Sequence, residues 1–103
     1  LPIYAIPKLM KLSGMDIKDV GLFEINEAFA SQALYSIREL GLDMGKINIH
    51  GGAIALGHPL GCTGAKLCAT LLNNMQERGA KYGVESMCIG GGMGAAALFE
   101  LCD

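Results

Sequence analysis

The stretch KINIHGGAIALGHPLGCTGAKLCATLLNNMQERGAKYGVESMCI, Lys46 to Ile89, decides the fold of this chain. Its first four residues, Lys46 to Ile49, read as a short strand leading into a glycine-rich loop, Gly51 to Gly64. From about Thr63 to Arg78, Ala65, Cys68, Leu72 and Met75 recur at helical spacing on one side, and Gly79 supplies a C-terminal stop. Val84 to Ile89 then reads as a buried strand. A strand, a helix and a strand of these lengths predict a parallel pair joined by a crossover.

The same alternation continues outward. Apolar side chains at helical spacing predict a helix over Ile3 to Ser13, with Pro7 near its first turn and Gly14 as its stop. Val20 to Ile25, VGLFEI, reads as a buried strand, followed directly at Asn26 by a helix with Phe29, Ala33, Ile37 and Leu40 on one face, ending near Gly41. Beyond Ile89, Gly90 to Gly94 forms a turn and Ala95 to Leu101 the last strand. The expected class is α/β: helices alternating with a mostly parallel sheet that ends in an antiparallel hairpin. Because a helix comes first, the strand that should precede it is expected to be missing. No repeat or linker divides residues 1–103, so one domain is expected.

Composition excludes several classes of function. Hydrophobic residues make up 51% and charged ones 17%, which supplies an apolar core and argues against disorder. A net charge of −2 without a basic run argues against nucleic acid or a membrane surface as partner. Neither a bilayer-length apolar stretch nor a signal-peptide pattern is present. The chain begins at Leu1, which reads as a piece of a longer product. Cysteines at 62, 68, 88 and 102 form no Cys-x-x-Cys pair, so reduced thiols are expected. The spacing of His50, His58, Cys62 and Cys68 matches no common zinc template, and no metal is expected.

Three loops fall at the carboxyl ends of the expected strands, where open α/β sheets place their ligands: Asn26-Glu27, His50 to Gly64 and Cys88 to Gly94. They gather a carboxamide, an imidazole and a thiol into one region. A loop this rich in glycine loses much entropy on ordering, but it permits close approach of backbone to ligand beside one imidazole, His58. Each residue also has a plainer reading. Asn26 suits a helix N-cap and Glu27 the positive end of the helix dipole. His58 can be a loop histidine bonded to a carbonyl, and Cys88 a small buried hydrophobe. Cys62, near a helix start, could have its thiol activated by the dipole, whereas Cys68 and Cys102 read as inert. Gly90, Gly92 and Ala95 loosely match a dinucleotide fingerprint, yet too few residues follow for the helix and strand it requires.

NEAF at Asn26 to Phe29, GGAIALGHPLGCTG at Gly51 to Gly64, and CIGGGMGAA at Cys88 to Ala96 together resemble the three C-terminal motifs of the thiolases, in the family's order and at about its spacing. That resemblance covers essentially the whole chain. It implies acyl transfer between coenzyme A thioesters, by thiolysis of a 3-ketoacyl-CoA or by Claisen condensation, with CoA thioester as substrate and no other cofactor. On it, His58 supports a nucleophilic thiolate and stabilises the enolate oxyanion, while Asn26 holds a water that completes that oxyanion site. Cys88 is the general acid and base, and Gly90 offers its amide to a second oxyanion. Pro59 and the neighbouring glycines direct His58, and the substrate lies along Gly57, Pro59, Ala53 and Phe29.

His50 stands where many thiolases have asparagine. The family's nucleophilic cysteine belongs to an N-terminal half that this sequence lacks, so the resemblance also implies such a half as partner, supplied by the parent chain or a separate subunit. The isolated chain is then expected to be inactive. A non-catalytic CoA-binding or assembly module that retains the fold is the alternative. Self-association is expected from an unpaired sheet edge and exposed apolar surface. The expected location is cytoplasmic, with peroxisomal or mitochondrial as alternatives.

Overall fold

A computed structural model describes residues 1–102. Four helices, α1 (Pro2–Ser13), α2 (Ala30–Leu40), α3 (Ala53–Leu56) and α4 (Thr63–Arg78), accompany three strands, β1 (Leu22–Ile25), β2 (Tyr82–Cys88) and β3 (Gly94–Glu100). The sheet order is β1-β2-β3. β1 and β2 run parallel with Glu24 beside Glu85, and β2 and β3 form the expected antiparallel hairpin with Cys88 beside Gly94. The α/β class and the closing hairpin are as the sequence predicts, but the parallel partner of β2 is β1 rather than Lys46 to Ile49.

Alternation of side chains across the sheet builds two cores. Phe23, Ile25 and Val84 pack with Ile6 and Met10 of α1 and Ile37 of α2. On the opposite face Leu22 packs against Leu71 and Met75 of α4. Leu71 and Met75 are fully buried, each contributing on the order of 2 kcal/mol by removal of apolar surface from water. α4 lies so close to β2 that a Cβ placed on Gly83 comes within 2.5 Å of the Met75 sulfur and 2.9 Å of Leu71 Cδ1. Glycine in this strand is therefore a packing requirement.

Several expectations need correction. Lys46 to Ile49 forms no strand: only Ile47 bridges to Phe23, and Asn48 turns out of extended geometry at φ 47°. The Asn48 side chain then takes over the pairing, its Oδ1 accepting from Ile25 N and its Nδ2 donating to Ile25 O, both at 2.9 Å. A carboxamide can imitate one rung of a ladder because it carries the same donor and acceptor as a peptide. The sheet is thus one parallel and one antiparallel pair, rather than mostly parallel.

α2 begins at Ala30, not Asn26, and its N-cap is Phe29, without a capping side chain. Phe29 is 72% exposed, so it leaves the buried face on which its spacing placed it. α4 buries Thr63, Leu67, Leu71, Asn74 and Met75, whereas Leu72 and Ala65 are exposed. Two apolar stripes coexist on this helix, and the Leu67–Leu71 stripe faces the sheet. α1 starts one residue early, at Pro2, and accommodates Pro7 in its interior on the exposed side. Among the described residues no helix is long and apolar enough to cross a membrane.

Candidate functional site

The three loops meet at the carboxyl end of the parallel pair. An open recess of about 700 Å³ is lined by Phe29, His58, Pro59, Cys62, Cys88 and Gly90, with Thr63 in its wall. Five of the eight residues singled out from the sequence therefore share one cavity. Asn26, Ala53 and Gly57 instead line a second cavity of about 10 Å³, the size of a single water, together with Glu24, Thr63 and Lys66. Thr63 belongs to both cavities.

His58 is held from several sides. Its Nδ1 lies 2.6 Å from Thr63 Oγ1, and that hydroxyl donates to the Pro59 carbonyl at 3.0 Å. With its own proton committed, the hydroxyl can only accept from the ring, which places the imidazole proton on Nδ1 and leaves the Nε2 lone pair uncommitted to Thr63. Asn26 Nδ2 is 3.4 Å from both ring nitrogens, so the carboxamide faces the ring without selecting one atom. Asn26 is buried, its main-chain N–H donates to Ser86 O at 2.9 Å, and its Oδ1 has no protein partner among the described residues.

The N-cap reading of Asn26 is thereby excluded, because α2 starts four residues later. Glu27 likewise serves a different helix from the one expected: its Oε1 accepts from Ile54 N at 3.2 Å in the first turn of α3. Residues 26–29 run outward from the end of β1, and that path carries Phe29 to the recess.

Cys88 is partly buried at the end of β2, where the strand meets Gly90, Gly91 and Gly92, all with positive φ. Gly90 has φ 91°, and its carbonyl accepts from Met93 N at 3.0 Å. Its own N–H makes no hydrogen bond among the described residues. A Cβ here would meet nothing within 4 Å, so the backbone angle, rather than lack of space, calls for glycine.

The remaining sequence candidates lie apart from the recess or play other parts. His50 pairs through Nε2 with Glu77 Oε2 at 3.0 Å on the surface and lines neither cavity. Cys68 is half-buried on α4, Cys102 is exposed, and all four thiols are free. Among the described residues no group of three or more His, Cys, Asp or Glu side chains is placed to hold a metal ion.

Sequence reasoning missed Thr63, Lys66 and Glu24. Lys66 Nζ donates to Gly57 O at 2.6 Å, bridging α4 to the residue before His58. Glu24 is a carboxylate inside an otherwise apolar strand, and that interruption of VGLFEI was the available signal. Burial, first, and then the charges of Glu27 and Glu85 push its carboxyl up to about 7, with Lys66 opposing. Burial also raises the carboxyl of neighbouring Glu85, whose Oε2 has no partner among the described residues.

Comparison with known proteins agrees with this fold. Residues 1–101 match the family model described as thiolase, C-terminal domain. A 3-ketoacyl-CoA thiolase of Bacillus subtilis is 62% identical over 101 residues, covering 98% of this chain and 26% of that protein. The peroxisomal 3-ketoacyl-CoA thiolase B of Rattus norvegicus is 61% identical over 100 residues, covering 96% of this chain and 24% of its own length. The solved structure of the peroxisomal 3-ketoacyl-CoA thiolase of Saccharomyces cerevisiae, described as a five-layered α-β-α-β-α structure built from two core domains of identical topology, superposes with a TM-score of 0.90 at 58% identity. The match covers 96% of this chain and 28% of the yeast one. A second structure of the yeast enzyme, described as dimeric, matches equally well, at a TM-score of 0.90. The chain spans about a quarter of the length of these relatives. From the three motifs, their convergence at one sheet end and these likenesses together, the chain belongs to the thiolase C-terminal domain family.

Proposed function

We propose that this chain is the C-terminal catalytic segment of a thiolase, transferring acyl groups between coenzyme A thioesters once an N-terminal half supplies the nucleophilic cysteine. The observation that carries this reading is the convergence of His58, Cys88 and Gly90 on one open recess. In the Nδ1–H form, His58 can take the proton of the nucleophilic cysteine's thiol on Nε2. The imidazolium so formed carries an N–H on Nε2 that can donate to an enolate oxyanion, so one ring serves both steps. Cys88, facing the same space, protonates the enolate carbon and later deprotonates CoA. The amide of Gly90 donates to the tetrahedral oxyanion. Asn26 holds the water that completes the enolate site, through a carboxamide already against the ring. Phe29 and Pro59 flank the acyl group, and Gly57 and Ala53 shape the loop behind them.

The match to only about a quarter of the relatives' length supports an N-terminal half as partner. The dimeric description of the yeast structure supports homo-oligomerisation of the whole enzyme. The plant, rat and yeast relatives named as peroxisomal favour the peroxisomal alternative over the cytoplasmic expectation.

The decisive experiment mixes this chain with the Bacillus subtilis thiolase truncated to remove its matching C-terminal segment, and follows thiolysis of acetoacetyl-CoA. Neither component alone should turn over, the mixture should, and His58→Ala or Cys88→Ala should abolish the gain. Turnover by the chain alone overturns the need for a second half. A stable, self-associating chain that neither complements nor binds CoA thioesters supports an assembly module instead.

A further inference from the structure

Among the buried and charged groups outside the expected catalytic set, the first turn of α4 stands out because it grips the chain on both sides of His58. Thr63 N, Thr63 Oγ1 and Cys62 N all donate to the carbonyl of Pro59, at 3.2, 3.0 and 3.2 Å. One turn further along, Lys66 Nζ donates to the carbonyl of Gly57 at 2.6 Å. Thr63 and Lys66 are three residues apart on α4, so their side chains leave the same face. The Gly57–His58 peptide, before the histidine, and the Pro59–Leu60 peptide, one residue beyond it, are thus anchored to one rigid element.

The Gly57 anchor matters most, since among the described residues no other hydrogen bond holds that peptide. Gly57 sits at φ 99°, ψ 163°, a conformation closed to side-chain-bearing residues, and a Cβ there would meet nothing within 4 Å. Among the described residues its carbonyl accepts a hydrogen bond from Lys66 alone. The Gly57 carbonyl and the His58 N–H share one planar peptide, so holding that oxygen orients the bond from which His58 departs.

We propose that Lys66 is a positioning residue for His58, acting through the Gly57–His58 peptide plane while Thr63 fixes the ring. Glu24 lines the same water-sized cavity as Lys66. The proposal deepens the thiolase reading and rests on it for the purpose of His58. Its geometry, however, is testable without turnover.

The experiment is nuclear magnetic resonance of the full chain, labelled with ¹⁵N, in wild type, Lys66→Met and Lys66→Arg forms. In Lys66→Met the fraction of His58 in the Nδ1–H tautomer should fall about threefold or more as the ring leaves Thr63, and Lys66→Arg should restore it. A folded Lys66→Met chain with an unchanged His58 tautomer overturns the proposal. Should that variant fail to fold, the wild-type chain decides: Lys66 Nζ protons should exchange at least about tenfold more slowly than those of exposed Lys8 and Lys11, and equal rates overturn it. Neither result bears on complementation, so failure of the positioning role and failure of the thiolase reading are read separately.

Discussion

His58 Nδ1 lies 2.6 Å from Thr63 Oγ1, a hydroxyl already donating to the Pro59 carbonyl. This pair sets which ring nitrogen carries the proton, and with it whether Nε2 is free to act as a base toward the recess. Thr63→Val keeps the shape of the residue and removes its oxygen. The His58 Nδ1–H tautomer should cease to dominate in ¹⁵N spectra, and stability in urea should fall by about 1 kcal/mol for the lost bonds. An unchanged tautomer ratio would show that another group holds the ring.

Glu24 makes the stability of the chain depend on pH. Its folded carboxyl, pushed up to about 7 from an ordinary 4.5, holds its proton more tightly than in the unfolded chain. The contribution is therefore fully present below pH 4.5 and is lost as pH rises through about 7. Burial raises Glu85 in the same direction and adds to the slope. The unfolding free energy from urea titrations should drop between pH 5 and pH 8 by an amount on the order of 2 to 3 kcal/mol, and Glu24→Gln should remove most of that drop. Equal midpoints in the unsubstituted chain at the two pH values would contradict the burial of an ionisable carboxyl at this position.

Asn48 replaces a strand with one side chain. Asn48→Ala loses both side-chain bonds to Ile25 and leaves a methyl side chain, which can make no hydrogen bond, at φ 47°. A loss of about 2 to 4 kcal/mol is expected. Asn48→Gly, free of the backbone penalty, should recover roughly 1 kcal/mol of it. Equal losses in the two variants would rule out the backbone term.

Gly83 tests how tightly α4 packs on the sheet. Gly83→Ala should cost about 1 to 3 kcal/mol, because the methyl meets Met75 and Leu71. Met75→Ala alone opens a cavity worth about 2 to 5 kcal/mol. The double variant should be more stable than the sum of the two losses implies, since the new methyl fills part of the space vacated. Strict additivity in denaturation measurements would refute the close contact.

Legibility differed from element to element for physical reasons. α4 and its Gly79 stop could be read from the sequence because local periodicity and a left-handed C-cap at φ 66° are properties of neighbouring residues. The face that α4 buries could not be read, since two apolar stripes compete and only the sheet selects between them. Lys46 to Ile49 looks like a strand by composition, yet the conformation of Asn48 answers to Ile25, 23 residues away. The interruption of VGLFEI by Glu24 was visible, but the opposing influences of Glu85 and Lys66 come from other elements.

The amino-acid sequence by itself determined the α/β alternation, the three motifs and the identity of His58, Cys88, Asn26 and Gly90, because these rest on residue type, order and spacing along the chain. Only the tertiary structure decided that His58, Cys88 and Gly90 share one recess while Asn26, Gly57 and Ala53 stand around a smaller cavity. It alone showed that Thr63 and Lys66 grip the chain on either side of His58. Hydrogen bonds select partners by position in space, and a glycine loop of many permitted conformations takes its direction from what the fold sets beside it.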